Sequence, residues 1–342
     1  MNPPSDSKAL DRIRLALIGM QAGIRRCIRT QISRAEAGSL SQVREESPSD
    51  TIYAIDRDCE SILLDHLNAL ARDFPIVVIA EGVHGDEPLP LPEGTREEEC
   101  RYRILVDPID GTRMLMYDKR AAWSLAGVAP NRGPGTTLAD IELAVMSELP
   151  TSKQICADTI WATRDSGTRG WRENLSHGSR RAWRPTPSRA TDLSHGFAQF
   201  TKFFLGRKPL LAELEEEAFK ALGAFEKEGR CLVFEDQYLS TGGQIYELLA
   251  GHDRFQADLR AAVRRLNQPD SPPPGMACHP YDICVELIAR EAGIEVTDLE
   301  GNRLACSLDT TSEVDWIAYA NPEIRARLAP VLGRVFREHG LV

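Results

Sequence analysis

The sequence predicts a layered protein of the α/β or α+β class. Three observations lead there. Long stretches with apolar residues at helical spacing and short β-branched apolar runs occur together in both halves of the chain. The 342 residues suffice to bury a sizeable core. No repeat of fixed period is present. One unit over residues 8–338 is expected, with an N-terminal half at about 8–150 and a C-terminal half at about 151–338.

The elements follow in order. Residues 1–7 read as a disordered tip. From Ala9 to about Thr30, the residues Leu10, Ile13, Leu17, Met20, Ile24 and Ile28 recur at helical spacing. Residues 38–50, rich in Ser, Glu and Gly, read as a loop. A second helix is expected from about Ile52 to Arg72, and Phe74-Pro75 stops it. Residues 76–80 are a continuous β-branched run and read as a buried strand. The acidic, proline-bearing stretch 84–99 reads as a surface loop, and 103–106 as the next strand. Two more strands are expected at 123–129 and 141–147, and another at 159–163. Residues 164–196 are basic and rich in Ser, Gly and Pro, and no pattern resolves them. Helices are expected at 209–223, 243–250, 282–292 and 322–337, and strands at 294–297 and 316–320. Residues 268–276 read as a loop and 298–302 as a turn.

Composition narrows the function. The formal net charge is -10, which repels nucleic-acid backbones and anionic membranes, so neither is an expected partner. No apolar run reaches the length of about 18 residues that a membrane span needs. The polar N-terminus has no apolar signal region, and the cytoplasm is the expected location. Eight cysteines form no Cys-x-x-Cys pair and read as reduced thiols. The spacing of Cys278, His279 and Cys284 fits no common zinc pattern.

The sharpest local feature is Asp107-Pro108-Ile109-Asp110-Gly111-Thr112, directly after a predicted strand. Proline fixes φ between the two carboxylates and glycine permits a sharp turn after them. Two close, partly buried acids repel each other unless a cation neutralises them, and a hard divalent cation suits oxygen ligands. Spacing alone reads equally well as a strand-to-turn segment with Asp as turn former. Glu81 ends the preceding strand. Asp282, after His279-Pro280-Tyr281, stands where a helix-capping acid stands.

Together these segments resemble the inositol monophosphatase superfamily, which includes fructose-bisphosphatases and 3'-phosphoadenosine 5'-phosphate phosphatases. The six residues 107–112 match its central motif letter for letter. Ile79-Ala80-Glu81, Ile55-Asp56 with Glu60, Ser240-Thr241-Gly242-Gly243, and Tyr281-Asp282 through Glu291-Ala292-Gly293 are similar to its other motifs, in the same order. The chain departs from the pattern at Gly82, where a second glutamate is usual, and at Tyr281, where tryptophan is usual. Residues 259–277 read as an insertion.

The resemblance implies an αβαβα sandwich and a metal-dependent phosphoric monoester hydrolase. It implies two or three Mg²⁺ ions. Glu81, Asp107 and the Ile109 carbonyl would hold one, and Asp107, Asp110 and Asp282 another. Asp56 with Thr112 would orient and activate the attacking water, with Glu81 also catalytic. The Gly111 and Thr112 amides would bind phosphate oxygens, and Asp258 would contact substrate hydroxyls. The basic stretch 164–189 reads as a solvated face. The expected substrate is a small phosphate monoester, an inositol or sugar phosphate. The alternatives are 3'-phosphoadenosine 5'-phosphate and a non-catalytic phosphate-binding role. A homodimer is expected from the same resemblance.

Overall fold

The computed structural model describes residues 7–34, 43–46, 51–223, 226–227, 230–266 and 276–342; the side chains of 43–46, 51–58, 226–227 and 230 are outside that description. The expected tip at 1–7 and the loops at 38–50 and 268–276 fall largely outside the described residues. Within the first of these loops, β1 (Val43–Glu46) pairs antiparallel with β2 (Thr51–Tyr53), so the helix expected from Ile52 starts two residues later.

The first helix, α1 (Ser7–Arg34), buries the periodic set Leu10, Ile13, Leu17, Met20, Ile24 and Ile28. It packs beside α2 (Ala54–Ala71) on one face of a sheet. That sheet contains β3 (Ile76–Ala80), β4 (Leu89–Leu91), β5 (Tyr102–Asp110), β6 (Ala122–Pro130), β7 (Leu143–Leu149), β8 (Cys156–Thr163), β9 (Thr168–Asn174) and β10 (Arg180–Trp183). Their spatial order is β10-β9-β8-β7-β6-β5-β3-β4. β3 and β5 run parallel; the other neighbours are antiparallel. A short helix, α3 (Thr112–Met116), leaves the end of β5.

Two expectations change here. Part of the stretch 84–99 is an edge strand, β4, where Pro90 lies on the sheet's rim and interrupts no interior ladder. The segment 164–196, for which no sequence pattern gave an element, supplies β9 and β10. Three of its arginines are held locally: Arg172 pairs with Asp158 at 2.6 Å, Arg180 with Glu173 at 3.2 Å, and Arg164 donates to the carbonyls of Ala139 and Ile141; Arg169, Arg181, Arg184 and Arg189 are exposed. The first sheet therefore runs on past residue 150 to Trp183.

The second sheet has the order β14-β11-β15-β17-β16. Its strands are β11 (Gly196–Phe200), β14 (Val233–Phe234), β15 (Asp253–Asp258), β16 (Glu295–Thr297) and β17 (Trp316–Tyr319). A small hairpin of β12 (Glu226–Lys227) and β13 (Arg230–Cys231) precedes β14. Three helices lie between the sheets: α5 (Thr241–Leu249), α7 (Pro280–Ile283) and α8 (Glu286–Glu291). On the outer face of the second sheet lie α4 (Lys208–Ala221) and α9 (Pro322–Glu338), around Phe200, Phe255 and Phe336. The layers read α-β-α-β-α, as the resemblance implies.

The helix expected over 282–292 is divided between α7 and α8. The reason is a close backbone approach. A Cβ on Gly127 of β6 would stand 2.8 Å from the Cys284 carbonyl oxygen, so the chain between the two helices lies flat on the sheet. Residues 259–277, read as an insertion, contain α6 (Arg260–Arg265), which begins two residues after the end of β15.

Candidate metal-binding active site

Sheet register builds the site. In the parallel β3–β5 pair, Ala80 faces Val106, so the next residues, Glu81 just past β3 and Asp107 within β5, come side by side. The Glu81 amide donates to the Val106 carbonyl at 3.3 Å and continues the pairing by one residue. Beyond Asp107 the antiparallel β5–β6 register slips: Asp107 faces Leu125 and Asp110 faces Trp123. Three steps on β5 thus match two on β6. Such a bulge re-aims side chains, and here it turns two acids three residues apart toward one point.

Local hydrogen bonds then fix each acid. Asp107 Oδ1 accepts the Ile109 amide at 3.0 Å. Asp110 is gripped by the start of α5: Ser240 Oγ donates to Oδ2 at 2.8 Å, the Gly242 amide to Oδ2 at 2.6 Å, and the Thr241 amide to Oδ1 at 3.3 Å. Ser240 also caps that helix by accepting from the Gly243 amide. Asp282 comes from α7, where its Oδ2 accepts the His279 amide at 2.6 Å. The capping role and the cluster role therefore coincide in one side chain.

Asp107, Asp110 and Asp282 each offer an oxygen within 4.8 Å of the others. Glu81 lines the same cavity, as do Ile109, Gly111 and Thr112. Gly111 sits at φ 98°, a left-handed conformation that glycine adopts without strain, and a Cβ there would crowd Ser240 and Leu239. Thr112 Oγ1 donates to the Ile109 carbonyl at 2.8 Å.

Without a cation the cluster is electrostatically frustrated. Burial, then Asp282, push the Asp110 carboxyl up to about 8. Asp107 is also pushed well above the ordinary carboxylate range by burial and by Glu81, Asp110 and Asp282. Converging oxygens with this much uncompensated charge fit a hard divalent cation. The cysteines nearby, Cys278 and Cys284, are fully buried with their thiols pushed up by burial, which is the reverse of a reactive thiolate. Among the described residues, none of the eight cysteines forms a disulfide.

The expected site residues divide as follows. Glu81, Asp107, Ile109, Asp110, Gly111, Thr112 and Asp282 share one cavity. Asp56 lies in the first turn of α2, and its side chain is outside the described residues. Asp258 does not line the cavity. It is 1% exposed, and Arg260 Nε and Nη2 hold its two oxygens at 2.8 and 2.6 Å. Asp258 therefore has no free face for a hydroxyl, and Arg260 takes the place in the wall. At Gly82, φ is 70° and the amide donates to Asp86 Oδ1 at 2.8 Å. Phe203, Phe204 and Arg113 also line the cavity, though nothing in the sequence pattern singles them out.

No protein-family model matches the chain, and no curated protein sequence does. Solved structures do. The fructose-1,6-bisphosphatase of Leishmania major aligns with a TM-score of 0.65 over 98% of this chain and 96% of its own, at 14% identity. The extragenic suppressor protein suhB of Bartonella henselae aligns at 0.61 over 94% and 98%, at 20% identity. This chain has the inositol monophosphatase fold. A Thermotoga maritima inositol monophosphatase aligns at 0.59 over 96% of this chain and all of its own, at 16% identity. In the inositol monophosphatase fold seen here, the acid cluster lies where β3, β5 and the two inner helices α5 and α7 meet. Among the described residues, no helix is long and apolar enough to cross a membrane.

Proposed function

We propose that this chain is a Mg²⁺-dependent phosphomonoesterase that hydrolyses a small phosphate monoester, an inositol or sugar phosphate, with water as the nucleophile. The observation that carries the reading is the convergence of Asp107, Asp110 and Asp282, with Glu81 in the same cavity. Glu81, Asp107 and the Ile109 carbonyl are assigned to one ion, and Asp107, Asp110 and Asp282 to another. Bound divalent ions supply positive charge for a phosphoryl group and acidify water. Phosphoryl transfer depends mostly on positioning and charge stabilisation, so no covalent nucleophile is required.

The chain's own groups have simpler tasks. The Gly111 and Thr112 amides are assigned to the phosphoryl oxygens. Thr112, tied to the Ile109 carbonyl, is assigned with Asp56 to orienting the water. Glu81 is assigned to the same water as a proton acceptor. Ser240 and the Gly242 amide keep Asp110 in place, so little reorganisation is needed during the reaction.

The test is phosphate release from a phosphomonoester panel. Activity with Mg²⁺, its loss on chelation, and at least about a hundredfold loss in Asp110→Asn with the fold intact are expected. Chelator-resistant activity, or full activity in Asp110→Asn, contradicts the reading. A second reading, nucleotide 3'-phosphatase activity, is favoured by one observation: Phe203 and Phe204, with ring centroids 4.9 Å apart, line the cavity and offer an aromatic surface to a base.

A further inference from the structure

We infer that the leaving-alcohol side of this site selects esters whose alcohol carries its own anionic group, read by Arg260 together with Arg113. The inference rests on the phosphomonoesterase reading and specifies its substrate class.

Arg260 is 8% exposed, and it lines the cavity that holds the carboxylates. Its guanidinium is immobilised from three sides. Asp258 takes Nε and Nη2, and the Met276 carbonyl takes Nη1 at 3.2 Å. The rings of Phe203 and Phe204 lie 4.7 and 5.3 Å from its Cζ. Nη1 and Nη2 each carry two N–H groups, and each has one acceptor among the described residues. Among the described residues, one N–H on each has no acceptor. The ion pair with Asp258 explains how a guanidinium tolerates burial; it does not explain a place in the wall of the acid cavity.

Arg113 reaches the same wall from α3, directly after Gly111 and Thr112. Its Cζ lies 5.8 Å from the Phe204 ring, so two guanidiniums flank one aromatic side chain. A fixed guanidinium fork matches carboxylate and phosphate oxygens in geometry as well as charge. A neutral polyol offers it no charged acceptor. A carboxylate, a sulfonate or a further phosphate does. Asp258, to which the family resemblance would give hydroxyl recognition, has both oxygens on Arg260, so this wall presents donors to the substrate.

The experiment compares phosphate release, with Mg²⁺, from two matched pairs. Glycerol 1-phosphate against 3-phosphoglycerate reports on a carboxylate. Fructose 1-phosphate against fructose 1,6-bisphosphate reports on a phosphate. At least one anionic member is expected to show roughly tenfold higher kcat/KM, carried in KM. Arg260→Gln should raise that KM about tenfold and erase the preference for the anionic member of the pair, and Arg260→Lys should recover part of the loss. Arg113→Gln, at a partly exposed position, is the second variant should Arg260→Gln fail to fold, with the same KM effect expected.

Equal kcat/KM within both pairs overturns the inference. So does an equal fall of kcat on neutral and anionic esters in Arg260→Gln, which is the mark of a wall residue that only supports the fold. Release from no ester at all would instead sink the phosphomonoesterase reading. Calorimetry on the Ca²⁺-loaded protein then decides the subsite: tighter binding of 3-phosphoglycerate than of glycerol 1-phosphate, lost in Arg260→Gln, supports it, and equal binding overturns it.

Discussion

Ser240 donates its hydroxyl to Asp110 at 2.8 Å across 130 residues of chain, and the same oxygen caps helix α5 by accepting from the Gly243 amide. One side chain thereby joins the inner helix layer to the bulged end of β5.

Replacing Ser240 with alanine removes both bonds. A cap is worth about 1 kcal/mol, and a buried hydrogen bond to a carboxylate about 1.5–3 kcal/mol. In urea denaturation of the metal-free protein both losses act in the same direction. A net loss of about 2–4 kcal/mol is expected there. Mg²⁺ affinity, read by calorimetry, should fall as well. Unchanged stability and affinity would show that Ser240 does not position Asp110.

The raised carboxylates set a pH dependence. Asp110 has an unfolded value near 3.8 and is pushed up to about 8 in the fold, and Asp107 is displaced in the same direction. A group whose folded pKa is raised stabilises the fold fully below its unfolded pKa. That contribution is lost as pH rises through the folded pKa. The metal-free protein should therefore lose thermal stability between about pH 4 and pH 8, and Mg²⁺ should raise Tm more at pH 8 than at pH 5. Asp110→Asn should flatten the metal-free profile. A Tm of the metal-free protein that rises over this range would contradict the frustrated cluster.

Gly127→Ala tests the division between α7 and α8. The added methyl would meet the Cys284 carbonyl oxygen at 2.8 Å, and backbone cannot rotate away as a side-chain end does. A cost of about 1–3 kcal/mol is expected, with weaker Mg²⁺ binding because Asp282 lies two residues before Cys284. Wild-type stability and metal affinity in this variant would show that the close approach is not required.

Leu17→Ala is the contrasting case. Leu17 is fully buried in α1, on the outer helix layer and away from the acid cavity. Its truncation should cost about 2–5 kcal/mol in urea denaturation while kcat and Mg²⁺ affinity stay at wild-type values. A loss of activity in the folded variant would tie this layer to the site.

Much of this arrangement was legible in the residues. The helices α1 and α9 and the strand β3 carry clean periodicity or continuous β-branched runs, and tertiary packing has no reason to override them. The pair Asp107 and Asp110 was legible as a strand-end feature, but the bulge that aims them is a property of the β5–β6 pairing and has no local signature. β15 was illegible because Asp253, Arg254, Gln256 and Asp258 make it read as polar. Its buried polar groups are satisfied by tertiary partners, with Gln256 bonded to Gln199 and Asp258 to Arg260. The strands β9 and β10 were hidden in the same way, since Arg172 and Arg180 pair with acids on neighbouring strands. The place of Asp258 beneath Arg260 follows from that strand, and a reading that missed β15 left the carboxylate facing substrate.

The central claim is tested most directly by calorimetric titration of the metal-free protein with Mg²⁺ at pH 7, in two buffers of different ionisation enthalpy. The account predicts saturable binding with proton release, because carboxyls held above their ordinary range must ionise to take the ion. It predicts loss of that binding in Asp107→Asn. Absence of binding, or binding that survives Asp107→Asn without proton release, would contradict it.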